Sequence, residues 1–261
     1  MLIHKLGKKP ARHDPRTLQF KNYLAAKPTA LPPTPDEVSW VTKVLSWPMM
    51  MNDSLGDCTC AAAGHMIQQW SYYANVGVIP TDQQILQAYE AVSGYVPGEP
   101  WTDNGAVILD VLNYWRQHGI AGHKISAYTQ VDHTNLDEIR AAIQLFGNVY
   151  IGIQLPITAQ TQDAWTVAKG GTFTQDGQPG SWGGHAIPLM AQSPKTMTCI
   201  TWGERLKMSH NFFLDYCDEA YAIVSEDWIG ANGISPSQFN LKQLMLDLAA
   251  VNQLGPGKTQ A

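Results

Sequence analysis

Charge is the scarcest resource of this chain. Only 15% of its 261 residues are Asp, Glu, Lys or Arg, against 44% hydrophobic residues. So low a charge content excludes a disordered or solvating chain. The net charge of −5 excludes general nucleic-acid binding by the whole body. Long apolar runs are also missing, and none reaches the roughly 18 residues that cross a bilayer, so no membrane role is expected. The start, "MLIHKLGKKPARHD", carries charge where a secretory signal would be apolar. Four cysteines in this length do not form a disulfide scaffold. Reduced thiols in a cytosol-like compartment are the expectation. There is neither an internal repeat nor a low-complexity tract.

What is present is aromatic weight and length, with nine Trp and ten Tyr. That suffices for one large core. Lys5, Lys8, Lys9, Arg12, Arg16 and Lys21 face only Asp14 in the first 21 residues. With the proline-rich "AAKPTALPPTPDE" that follows, residues 1–40 read as an extended basic arm. It is either a solvated strap over the domain or a docking segment for an acidic protein partner. Residues 41–230 form the domain. Residues 231–261 read as an amphipathic helix, with Leu241, Leu244, Met245 and Leu248 on its apolar stripe, and a frayed tail. This helix is a second candidate for contacting a protein partner.

Within the domain, helical patterns come first. One runs from Cys58 to about Ala74, with Asp57 as N-cap and Met66, Ile67 and Trp70 on one face. A second starts after Thr81 and ends at Gly94, a third spans about Ala106 to Gln117, and a fourth about Leu136 to Phe146. The period then changes. Residues 148–156, "GGHAIPLMAQ", "KTMTCITWG" and "YAIVSEDWI" read as strands, the second and third joined by a turn at Ser193-Pro194. Helices before strands make an α+β layout.

The stretch "NDSLGDCTCAAAGHM" concentrates the chemistry. Cys58 occupies the first turn of a helix, where free amides and the helix dipole favour a thiolate. Gly56 leaves room above the sulfur. Asn52, six residues upstream, is placed to offer an amide donor that would complete an oxyanion hole with the backbone N–H of Cys58. His185, preceded by glycines at the start of an apolar strand, is the best-placed base. Other readings compete. Cys58 could be a packed helix-start residue, and Cys60 reads as a buried bystander. A zinc site of Cys58, Cys60 and His65 with His185 or His210 lacks a standard spacing, and no metal or cofactor is expected. His65 reads as packed. A Cys199–Cys217 bridge is disfavoured by the compartment. Asp57, if charged, would oppose thiolate formation.

These motifs, in this order, resemble the papain-like cysteine peptidases and their bacterial and phage-associated relatives. The segments that carry the resemblance are "LGKKPARHDPRTLQF", "LPPTPDEVSW", "GDCT", "TDNGAVILDVLNYWRQHGI", "GGHAIPLMA" and "TWG". It implies a helical half packed on a twisted antiparallel β half with a cleft between them. It also implies a Cys58–His185 acyl-enzyme mechanism on a peptide or amide, and no cofactor. Asn104, Gly105 and Gly184 would line the substrate cleft, and Trp202 would shield His185. The family's asparagine has no counterpart here. Aligning on Trp-Gly puts Ile200 at its position, whereas counting sixteen residues from His185 puts Thr201 there. The same fold could serve instead as a weakly active or inactive structural or binding protein, for example a phage-particle component. Acyl transfer to an amine is a third outcome for the same pair.

Overall fold

The computed structural model describes residues 4–22, 34–228 and 234–237. The expected C-terminal helix lies outside them. The elements in chain order are β1 (Val38–Ser39), α1 (Cys58–Tyr73), α2 (Asp82–Ser93), α3 (Ile108–Gln117), β2 (Ile125–Gln130), α4 (Leu136–Phe146), β3 (Val149–Leu155), β4 (Ala164–Trp165), β5 (Gly183–Gln192), β6 (Thr196–Thr201), β7 (Glu204–Ser209), α5 (His210–Tyr216) and β8 (Cys217–Ser225). None of the described helices is long and apolar enough to cross a membrane.

The helix boundaries follow local chemistry. Thr81 and Gln84 form a reciprocal capping box at the start of α2, and Gly94 closes it in the left-handed conformation. Asn135 accepts from the amides of Asp137 and Glu138 to start α4, which ends at the left-handed Gly147. The start of α1 differs from expectation. Asp57 precedes it but makes no side-chain capping bond, because its carboxyl is turned into the protein and fully buried.

Nor does α1 show a single apolar face. Every residue except Tyr72 is buried, because the helix lies between the other helices on one side and β5 on the other. Its polar residues therefore need internal partners. Gln68 donates to Ser46 O (2.9 Å), and Gln69 donates to Gly147 O (2.8 Å) while accepting from Asn148 (2.7 Å). Gly64 permits the close packing: a Cβ there would lie 2.4 Å from Met50 Sδ.

The sheet runs in the order β2-β8-β3-β5-β6-β7-β4, with β1 added to the end of β5. Pairing is antiparallel except between β4 and β7, so the sheet is mixed at one edge. Unlike the sequence reading, β2 falls among the helices and pairs with β8. Cys199 sits on β6 and Cys217 on β8 with two strands between them. Three strand spacings, about 14 Å, are far beyond disulfide reach, and all four cysteines are free.

Candidate active site

The loop before α1 is tightly wound. Met50 and Met51 both take positive φ values, 54° and 66°, a conformation that costs non-glycine residues about 1 kcal/mol or more each. The wound loop carries Asn52 back towards α1. The Asn52 amide donates to Leu55 O (3.2 Å) and to Lys5 O (3.4 Å). Asp57 comes next, and burial raises its carboxyl well above the usual range. The Asn52 amide approaches it without completing a hydrogen bond. Burial thus disfavours charge on the carboxyl beside Cys58, where an ionised Asp57 would raise the thiol further.

Cys58 opens α1 with 1% of its surface exposed. Its thiol is pushed up to about 12 by burial, and hydrogen bonding from the backbone of Ala186 and Gly7 offsets part of that rise. The thiolate expected from the helix start is therefore absent in this state. The dipole remains, but loss of water around the sulfur outweighs it.

His185 lies on β5, also 1% exposed. Its Nε2 is 2.7 Å from Thr201 Oγ1. Its Nδ1 is buried and makes no hydrogen bond. Burial pulls the imidazole down to about 3, with a further contribution from His4. Thr201 ends β6, and Ile200 beside it points into the core at 1% exposure. Trp202 and Gly203 then form the two-residue turn into β7, with φ of 46° and 75°, the conformation such hairpin turns require. A tryptophan at positive φ is strained. The turn lays its ring flat on His185, centroids 4.4 Å apart and planes 14° apart. On its other face Trp202 stacks on His4, at 4.2 Å and 7°.

His4 belongs to the arm, which runs through the site. Lys5 O accepts from Asn52 and from Trp202 Nε1 (3.1 Å). The backbone of Gly7 reaches the Cys58 sulfur. Lys8 N–H donates to Gly184 O (3.1 Å), Lys9 N–H to Ala106 O (2.9 Å), and Gly7 O accepts from Ala106 N–H (2.8 Å). Three glycines make the passage narrow. A Cβ on Gly7 would lie 1.7 Å from Gly56 O, one on Gly105 1.9 Å from Gly7 O, and one on Gly184 2.3 Å from Lys8 O. An open cleft of about 300 Å³ remains beside this strand, lined in part by Leu6, Asp103, Asn104 and Gly183.

No family model matches the sequence, and no curated protein matches it either. Solved structures do. Xylellain, a cysteine protease from Xylella fastidiosa, superposes with a TM-score of 0.64 at 14% identity, over 85% of this chain and 96% of that one. A procathepsin L2 proteinase from the larval midgut of Tenebrio molitor gives 0.58 at 12%, over 86% and 79%. The bromelain protease of Ananas comosus in complex with the E64 inhibitor gives 0.52 at 13%, over 74% and 100%. The chain has the papain-like fold.

Within this papain-like frame the structure brings Cys58 into contact with Gly7 and Ala186, and His185 with Thr201 and Trp202. Gly105 and Gly184 line the strip where the arm lies, and Asn52 reaches a peptide carbonyl there. Asn104 stays at the exposed rim, its amide on Trp101 O (3.0 Å). Among the described residues no three His, Cys, Asp or Glu gather as a metal site. His65 Nε2 sits 2.8 Å from Pro48 O, away from any such role.

Sequence reasoning missed a bracing network. Asp103 accepts from Gly56 N–H at 3.1 Å and from Tyr89 O–H at 2.5 Å, and Tyr89 in turn accepts from Gly105 N–H at 2.9 Å. It ties the loop before Cys58 to the glycine wall of the cleft. Also missed were His4, Lys8, Gly152, Asp218 and Glu219. Lys8 Nζ is fully buried, 2.8 Å from Asp218 Oδ2 and 3.0 Å from Glu219 Oε1. The available signal was Gly152 inside a strand pattern, which often marks close approach of another group.

Proposed function

We propose that this chain is a thiol hydrolase acting on peptide or amide bonds, and that residues 4–9 hold it latent. The observation that carries this reading is how His185 is used. Its Nε2 is engaged by Thr201, while Nδ1 stays buried and unpartnered on the residue next to Ala186, whose backbone reaches the Cys58 sulfur. A base with one nitrogen oriented and the other free beside a thiol is the arrangement nucleophilic catalysis needs. Thr201 takes the place of the orienting asparagine, and Trp202 screens the pair from water.

With the arm displaced, water returns to the site, the thiol pKa falls and the His185 pKa rises. Proton transfer from Sγ to Nδ1 then gives the thiolate. Sulfur attacks the substrate carbonyl and forms a C–S bond. The resulting oxyanion is held by the Asn52 amide and the Cys58 N–H. His185 gives its proton to the leaving amine as the C–N bond breaks. Water then attacks the thioester, surrendering a proton to His185, and the acid product leaves as the Cys58 thiol re-forms.

The latency follows from contacts already made. Gly7 backbone covers the sulfur, and Lys5 O occupies the donors of Asn52 and Trp202. A second reading, a non-catalytic papain-fold component of a phage particle or cell, is favoured by the same sealed thiol. The two part in one assay. Gly7→Ala forces the arm out of the cleft, and full-length Gly7→Ala protein should hydrolyse labelled casein while Gly7→Ala/Cys58→Ala protein does not. Equal rates from the two proteins, or none from either, would replace the enzyme with the non-catalytic reading.

A further inference from the structure

We infer that the acidic pocket of Asp218, Glu219 and Gly152 is a specificity pocket for a lysine or arginine side chain of the substrate, held in the resting chain by Lys8. This rests on the peptidase reading above and adds the class of peptide cleaved.

Lys8 is the residue after Gly7, whose backbone reaches the Cys58 sulfur, and its own N–H is bound by Gly184 O at 3.1 Å. A peptide main chain in the cleft therefore directs a side chain into this pocket within about two residues of the sulfur. The pocket fits a long cationic stem. The Lys8 side chain is 0% exposed, and its ammonium donates to Asp218 Oδ2 (2.8 Å) with Glu219 Oε1 at 3.0 Å. Space for the stem comes from Gly152, where a Cβ would lie 2.0 Å from Lys8 Cε and 2.7 Å from Asp218 Oδ1. Both carboxylates are braced by other side chains. Gln154 donates to Asp218 Oδ2 (2.7 Å), and Tyr221 donates to Glu219 Oε2 (3.1 Å).

Removing Lys8 does not remove the need for a cation. Glu219 is 2% exposed and Asp218 27%, and two carboxylates so placed repel one another and are poorly solvated. Asp218 Oδ1 is buried without a hydrogen-bond partner, an acceptor that the planar fork of a guanidinium reaches together with Oδ2 and the single point of an ammonium does not. The displaced arm thus leaves a preformed site that favours a substrate carrying its own ammonium or guanidinium group.

The test uses full-length Gly7→Ala/Lys8→Ala protein, in which Gly7→Ala keeps the arm off the sulfur and Lys8→Ala empties the pocket, with Gly7→Ala/Lys8→Met as a second variant should the first fail to fold. Fluorogenic peptides carry arginine, lysine, citrulline or norleucine at each of the three positions before the reporter amide. At one position, arginine and lysine should exceed citrulline and norleucine by on the order of 10- to 100-fold in kcat/KM. Adding Asp218→Asn/Glu219→Gln should remove that advantage, so that arginine and lysine peptides are cut no faster than norleucine peptides in the same protein. Hydrolysis without a basic preference overturns the pocket and leaves the enzyme standing. If no peptide is hydrolysed, the peptidase reading fails and the pocket is judged by binding. In Cys58→Ala/Gly7→Ala/Lys8→Ala protein the arginine peptide should raise the melting temperature and the citrulline peptide should not. Equal shifts, or none, overturn the inference.

Discussion

Two stretches of the same basic arm behave in opposite ways. Residues 5–9 and residues 12–16 are both rich in basic residues, yet the first threads the cleft and the second lies on the surface. In the first, Lys8 is fully buried between two carboxylates and each neighbouring peptide group is bound by the cleft walls. In the second, Arg16 is 88% exposed and pairs with Asp14 two residues away, while Arg12 pairs with Asp110, itself partly exposed. Pairs of the second kind are screened by water and hold little. The presence of basic residues does not tell the two apart. What separates them is a backbone slim enough at Gly7 to enter, and a pocket at Gly152 deep enough to take a lysine.

The largest effect expected from breaking this contrast is at Lys8. Lys8→Met removes the cation from a buried cluster and should cost about 3–5 kcal/mol, roughly a 10 °C fall in melting temperature for a domain of this size. Differential scanning calorimetry checks it, and proteolysis should begin to cut within residues 4–9. The second effect is on pH. Burial holds His185 down to about 3 and His65 down to about 4, against an ordinary value near 6.5. Both are buried neutral, so below pH 6.5 the unfolded chain takes up protons that the folded chain refuses. Their contribution is complete above 6.5 and is lost as pH falls towards 4 and then 3, at about 1.4 kcal/mol per pH unit for each group. The buried carboxyls Asp57 and Glu219, raised by burial, act in the opposite direction, so the urea midpoint should fall less steeply from pH 7 to 4.5 in His65→Gln protein, and an unchanged slope would contradict the burial of that ring.

A third, smaller effect is expected at Gly7, where alanine must push the arm off the Gly56 carbonyl. Gly7→Ala should lower the melting temperature in the same calorimetric comparison, and an unchanged value would mean that the arm stays in the cleft. The control from the other stretch should do least. Arg16→Met should leave both melting temperature and Cys58 reactivity unchanged, and a clear change in either would erase the distinction between the two stretches.

The parts legible in the sequence were those set by near neighbours. Thr81 with Gln84 and the terminal Gly94 bound one helix by capping alone. Ile200 and Thr201 stayed open in the sequence, and it is the placed strand β6, where adjacent residues face opposite ways, that sends them to different sides. Ile200 goes to the core and Thr201 to His185. Strand β7, "ERLKMS", was illegible because it lies towards the sheet edge, half exposed, and needs little hydrophobic pattern. The raised Cys58 and Asp57 pKa values were illegible for a different reason. They arise from burial by remote segments, and the local helix start argues for the opposite shift at Cys58. The Lys8 pocket joins residues 8, 152, 218 and 219, a juxtaposition that only the folded chain creates.

The central claim is that the arm keeps a reactive Cys58–His185 pair latent. Iodoacetamide labelling of Cys58 at pH 7, followed by mass spectrometry, tests it most directly. The account predicts slow labelling of the full chain, labelling at least ~10-fold faster in Gly7→Ala protein, a difference of about 1.4 kcal/mol, and loss of that gain when His185→Ala is added. A Cys58 that labels equally fast in all three proteins would contradict it.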